Sequence, residues 1–221
     1  MWDNFDKRTF DTLTTMNLGQ IQNDKFSLII RQFSEDTSNK NFLEIGTWNG
    51  LGSTKQFAEG LENRTDDYIF YSLECNIDKA EYAKRLYLNN KKINILNEVI
   101  FNDVPPNFYE IFPQCKNSEL YKKWNEIDIL NMKQCKIFLD RPELPKIFDV
   151  ILLDGGEFTT YFEFQILKNR CRYLMLDDIN VDKCKLIVKE IEDNPDKWSV
   201  IEKNTDTRNG FIVCKNLVYN D

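Results

Sequence analysis

The sequence predicts an α/β fold on a doubly wound, seven-stranded sheet, mostly parallel, with helices on both faces and an antiparallel C-terminal hairpin. Three observations predict it. Short apolar, β-rich runs alternate with amphipathic helical stretches through most of the chain. The run Phe148–Leu153 is nearly all apolar, as a central parallel strand covered on both faces must be. Two strand-like runs at 198–202 and 210–214 flank the polar stretch 203–209 and read as a terminal hairpin.

Taken in order, Phe26, Ile29, Ile30 and Phe33 form one face of a helix over about 20–34. A polar break at 34–40 leads into a first strand at 42–45 and a helix at 54–61. A second strand at 68–73 lies between Asp66-Asp67 and Glu74, and a helix at 78–89 aligns Ala80, Ala83, Leu86 and Tyr87. A weaker third strand spans 93–100. Around 101–144 the alternation breaks down, punctuated by Pro105, Pro106, Pro113, Pro142 and Pro145, with one helix at about 118–131. That segment is too long for a simple connection and reads as an insertion that covers a site or builds an interface. The central strand at 148–153, a helix at 159–168, a strand at 173–176 and a helix at 182–193 precede the hairpin. One domain over residues 1–221 is expected, with 1–40 as an N-terminal helical segment.

Composition excludes several classes of function. A net charge of −7 opposes a role on long nucleic acid, which calls for a basic face. No run approaches the roughly 18 apolar residues of a membrane span, and the first residues lack a basic and then apolar leader, so a cytoplasmic location is expected. Six cysteines occur without a C-x-x-C pair and read as reduced residues, several of them in the core. The chain has no histidine, which removes every imidazole base, His-activated nucleophile and His metal ligand. A general base must then be a carboxylate, Lys, Tyr or metal-bound water, and a metal site must be rich in oxygen.

In a doubly wound sheet, ligands bind beyond the carboxyl ends of the strands. The polar residues predicted there are Glu44, Glu74, Asp154, Asp177 and Asp178, all acidic. After Glu44 come Gly46, Thr47, Trp48, Gly50, Gly52 and Ser53, a strand-to-helix turn where glycines let a ligand lie against bare backbone. This spacing is not the G-x-G-x-x-G of dinucleotide dehydrogenases. An acid two residues before the first glycine is instead the pattern of S-adenosylmethionine (SAM) sites. Glu74, 22 residues beyond Gly52, is placed to accept the hydroxyls of a ribose. Asp154, Asp177 and Asp178 should converge at neighbouring strand tips, where three carboxylates repel unless protonated or bound to a cation.

Leu43-Glu44-Ile45-Gly46 with Gly50 and Gly52, then Glu74, the strand ending at Asp154 and the terminal hairpin together resemble a class I SAM-dependent methyltransferase, over roughly 40–215. The resemblance implies a Rossmann-like fold, with Glu44, Gly46, Thr47, Trp48, Gly50, Gly52 and Ser53 at the methionine portion of SAM, Glu74 at the ribose, and Phe101, Asn102 and Asp103 near the adenine. Asp154-Gly155-Gly156 followed by Leu176-Asp177-Asp178 is similar to metal-dependent small-molecule O-methyltransferases of the macrocin or sugar-modifying type. That similarity implies Asp154, Asp177 and Asp178 around Mg²⁺, with Ca²⁺ or Mn²⁺ as alternatives, and Asp154 or Asp178 as the base. In that branch His commonly stands three residues after the first acid; here Glu157 does, and its role stays open. The expected activity is metal-assisted methyl transfer to a hydroxyl of a small acceptor, a sugar or glycan first. The rivals are a nicotinamide-dependent oxidoreductase and a non-catalytic SAM-binding domain. Oligomeric state is left open.

Overall fold

The computed structural model describes residues 21–219. Helix α1 (Lys25–Glu35) starts at Asp24, whose carboxylate accepts the Ser27 amide at 2.7 Å. There follow β1 (Asn41–Ile45), α2 (Ser53–Leu61), β2 (Ile69–Leu73), α3 (Ile77–Leu86), β3 (Ile93–Leu96) and β4 (Glu98–Val99). The middle segment holds two short helices, α4 (Phe108–Ile111) and α5 (Gln114–Asn117), then α6 (Glu119–Met132), β5 (Lys136–Ile137) and a 3₁₀ turn (Phe138–Asp140). The chain continues as β6 (Phe148–Leu153), α7 (Thr159–Leu167), β7 (Cys171–Asp177), α8 (Asp182–Glu192), β8 (Trp198–Asn204) and β9 (Phe211–Asn216).

The main sheet has the order β3-β2-β1-β6-β7-β9-β8. Its first five strands, β3 to β7 in that order, run parallel, while β9 pairs antiparallel with both β7 and β8. The expected seven-stranded sheet with a terminal hairpin is therefore present. Strand order reverses between β1 and β6, so their carboxyl ends diverge and leave a crevice.

Side chains alternate between two cores. Phe42, Phe70, Val150, Leu152 and Met175 face Phe26, Ile30, Phe57 and Leu61 of α1 and α2. Leu43, Ile45, Ile151, Leu153 and Leu176 face Phe164 and Leu167 of α7 and Cys184, Ile187 and Ile191 of α8. Every residue of β6 is buried, as its composition demands.

The third strand differs from expectation. It stops at Leu96 because Asn97 turns the chain, its amide donating to the Glu74 and Cys75 carbonyls at 2.8 and 3.0 Å. Glu98 and Val99 then pair with Lys136 and Ile137 in a separate two-stranded sheet. The middle segment docks through rings: Phe108 and Phe112 pack on Phe158 and Phe162 at the start of α7, with Phe108 stacked on Phe162 at 5.6 Å. Among the described residues no helix is long and apolar enough to cross a membrane.

Candidate active site

The turn after β1 is built around Gly46. Its amide and that of Thr47 donate to the Leu73 carbonyl at 2.9 and 3.1 Å, while Asp154 N donates to the Ile45 carbonyl at 2.9 Å. The three strand ends are thereby pinned together. Gly46 has φ of +102°, and a Cβ there would lie 2.2 Å from the Asp154 carbonyl oxygen. Only glycine fits. Trp48 also takes positive φ, and its amide donates to Glu74 Oε2 at 2.8 Å. Gly52 and Ser53 then open α2 with their backbone toward a cavity of about 300 Å³.

Of the residues expected at the cofactor, Gly46, Thr47, Trp48, Gly52, Ser53, Glu74 and Asp154 line this cavity. Glu74 accepts amides from both Trp48 and Asn76 at 2.8 Å, and burial raises its pKa above the ordinary carboxylate range. Glu44, Gly50 and Asn102 stand elsewhere. Glu44 shares with Phe42, two residues earlier, the strand face turned to α2, so its carboxylate lies beneath the loop instead of in the cavity. Its Oε2 accepts from Thr54 Oγ1 at 2.6 Å and Ser72 Oγ at 2.5 Å, while Oε1 is buried without a partner. Burial pushes Glu44 up to about 7 against the hydroxyls of Ser53, Ser72 and Thr54. Gly50 packs on α3: a Cβ there would meet the Ala83 Cβ at 2.9 Å, and its carbonyl accepts from Tyr87. Asn102 lines a separate depression with Lys136 and Arg141, Phe101 packs against Phe162, and Asp103 pairs with Lys133 at the surface. The early end of β3 explains this shift, because Glu98 and Val99 take the wall position expected of 101–103.

The carboxylates of Asp154, Asp177 and Asp178 do converge, each offering an oxygen within 4.8 Å of the others. Asp178 takes a φ of +59°, a conformation that β7 alone would not impose and that turns the residue at the strand tip. Their negative charge is already met by the chain itself. Lys183, in the first turn of α8 and 5% exposed, places Nζ 2.6 Å from Asp154 Oδ1 and 3.3 Å from Asp178 Oδ2. Arg208 from the β8–β9 loop donates Nη1 to both oxygens of Asp177 at 2.9 and 2.7 Å, and its Nε reaches Asp24 at 2.9 Å. Burial alone would depress the Lys183 ammonium, but Asp154 and Asp178 reverse this and hold its pKa above its ordinary value. As arranged, these residues do not fit a divalent cation: it would meet an ammonium within a hydrogen-bond length of Asp154, and Asp177 is spent on a guanidinium. At the place expected of Mg²⁺, Ca²⁺ or Mn²⁺, the three carboxylates are met by two internal cations, Lys183 and Arg208.

Asp154 and Asp178 face the cavity; Asp177 and Glu157 do not. The sequence reading missed Lys79, Glu98, Asp128 and Glu163 in the cavity wall, and Lys183 behind it. Glu98 is held bidentately by Arg141 at 2.7 and 2.6 Å. Asp128 and Met132 come from α6, so the middle segment closes one side of the cavity.

No family model matches the chain, and no curated protein matches it in sequence. Solved structures do match in fold. The O-methyltransferase from Bacillus cereus in complex with SAH aligns with a TM-score of 0.58 at 15% identity, over 95% of this chain and 89% of that one. TomG, an O-methyltransferase of tomaymycin synthesis from Streptomyces achromogenes in complex with SAM, gives 0.54 at 14%, over 86% and 79%. A methyltransferase from Geobacter sulfurreducens gives 0.55 at 10%, over 96% and 88%. At these identities the likeness is one of fold: the chain has the Rossmann-like methyltransferase sheet.

Proposed function

We propose that this protein transfers a methyl group from SAM to a hydroxyl of a small acceptor, a sugar or glycan being the first class to try. The observation that carries the reading is one cavity at the β1–β6 crevice, lined together by Gly46, Trp48 and Gly52 of the glycine turn, by Glu74, and by Asp154 with Asp178. Fold neighbours that hold SAM or SAH support the choice of donor.

When bound, SAM supplies a methyl group already activated by its sulfonium, so the residues have mainly to position and deprotonate. Glu74, its oxygens fixed by two backbone amides, retains lone pairs for ribose hydroxyls. The bare backbone of Gly46 and Gly52 admits the methionine portion. Asp154 and Asp178 line the cavity, and either carboxylate can take the proton of an acceptor hydroxyl bound beside it. Lys183, joined to both by ion pairs of 2.6 and 3.3 Å, holds the two carboxylates in place and offers the positive charge expected from a divalent ion. A wall rich in carboxylates suits a polyol, whose hydroxyls donate to them.

Titration of the purified protein with SAM and with NAD by calorimetry tests the donor. Saturable SAM binding with no response to NAD is expected, followed by methyl transfer to a panel of glycosides and catechols. Binding of NAD alone would sink the reading in favour of an oxidoreductase.

A further inference from the structure

Most acids around the cavity have a partner. Glu74 takes two amides, Glu98 takes Arg141, and Asp154 and Asp178 share Lys183. Two remain. Glu163 of α7 is 6% exposed and lines the cavity, yet its Oε2 has no hydrogen-bond partner. Asp128 of α6 lines the same cavity and makes no salt bridge within 4 Å among the described residues; burial raises its pKa, opposed at longer range by the ammonium groups of Lys79 and Lys183. Both close over the turn after β6: a Cβ on Gly155 would lie 2.9 Å from Glu163 Oε2, and one on Gly156 would lie 3.1 Å from Asp128 Oδ2. The glycines leave the two carboxyls facing the same space. A buried acceptor without a donor is costly, so the site is built for a group that brings one.

We propose that Glu163 and Asp128 form the binding site for an ammonium group of a ligand in this cavity. The inference rests on the donor reading above. An ammonium supplies three N–H donors and one positive charge, which satisfies both the unpartnered oxygen and the excess negative charge. Burial pushes Glu163 up to about 8, with Lys183 opposing and Asp128 adding to the rise, and an arriving cation would favour its ionised form. Two sources can bring the group: the α-amino group of the methyl donor, or an amine on the acceptor.

The test is calorimetric binding of S-adenosylhomocysteine and of 5′-methylthioadenosine, which lacks the amino-acid portion, to wild type, Glu163→Gln and Asp128→Asn. Circular dichroism checks the fold of each; Glu163→Gln removes only a buried charge and keeps the side-chain volume. If the donor brings the ammonium, Glu163→Gln lowers S-adenosylhomocysteine affinity at least tenfold and leaves 5′-methylthioadenosine unchanged, with a smaller loss for Asp128→Asn. If the acceptor brings it, both nucleosides bind all three proteins alike. The wild-type S-adenosylhomocysteine complex then binds glucosamine over glucose, a preference Glu163→Gln abolishes. Equal losses for both nucleosides would reduce Glu163 to a support of cavity shape and overturn the proposal. So would unchanged binding with no preference for glucosamine. Failure of the wild type to bind either nucleoside would sink the donor reading itself, and this inference with it.

Discussion

Lys183 Nζ lies 2.6 Å from Asp154 Oδ1 on a side chain only 5% exposed, at the place where three carboxylates meet. A buried ammonium there satisfies the charge that a divalent ion would otherwise satisfy. Methyl transfer is therefore expected to persist within about twofold in excess EDTA. Removing one member of a buried pair strands the other, at a cost of about 3–5 kcal/mol. Lys183→Met should lower the midpoint of chemical denaturation accordingly and abolish turnover, while Lys183→Arg should recover most of the stability. Loss of wild-type activity in EDTA, restored by Mg²⁺, would show that an ion displaces Lys183.

Gly46 has no room for a methyl group. With φ of +102° and the Asp154 carbonyl oxygen 2.2 Å from the place a Cβ would occupy, Gly46→Ala must push the ends of β1 and β6 apart. Strain at such a backbone position and the clash together should cost more than about 2 kcal/mol. Urea unfolding reports the stability, and S-adenosylhomocysteine titration should find binding lost. A variant with wild-type stability and affinity would mean that the strand ends separate freely.

Glu74 holds the loop as well as facing the cavity. In Glu74→Gln one of the amides of Trp48 and Asn76 must face an NH₂ group instead of an oxygen. A hydrogen bond to a charged group is worth about 1.5–3 kcal/mol, so affinity for S-adenosylhomocysteine should fall about 10- to 100-fold. Glu98→Gln, whose side chain is engaged by Arg141, should fall less. The calorimetric ratio of the two variants is the measurement that decides.

The strands, the glycine turn and the acids at strand tips are legible in the sequence because each rests on local signals: apolar runs, glycine spacing, a charge that ends a strand. What was lost depended on faces and on distant packing. Glu44 follows Phe42 by two residues, so strand alternation already turns it toward α2 and away from the cavity. Lys183 shares a helical stripe with Ile187 and Ile191, all three buried, and a lysine on an apolar stripe signals a buried partner. Asp128 gave no such signal. It reaches the cavity because Phe108, Phe112 and Tyr121 dock on Phe158 and Phe162, contacts between segments far apart in the chain. The guanidinium on Asp177 likewise comes from a loop 31 residues away.

Arg208 ties Asp177 of β7 to Asp24, the cap of α1, and Asp177 is almost fully buried. Arg208→Ala would leave that carboxylate without its counter-charge and take a partner from the helix cap. A loss of about 3–5 kcal/mol is expected, falling off in the double variant Arg208→Ala with Asp177→Asn. The coupling energy from the four denaturation curves measures the pair. Additive losses would mean that the two side chains act independently.

Glu44 should make stability depend on pH in an unusual direction. Its folded-state pKa, pushed up to about 7 by burial, lies above the ordinary value of 4.5. Between those two values the folded chain binds more protons at this site than the unfolded chain, so stability falls as pH rises. The contribution of Glu44 is complete below the unfolded pKa, declines from about pH 4.5 to about pH 7, and is constant above that. Over the window the change is on the order of 3 kcal/mol. Glu44→Gln keeps an oxygen for Thr54 and Ser72 and does not titrate, so it isolates this term from the other carboxylates. Denaturation of both proteins at pH 5 and pH 8 should show the variant gaining on the wild type at the higher pH. A constant difference between the two would mean that Glu44 titrates at its ordinary value, with its unpartnered oxygen reached by a donor that lowers its pKa.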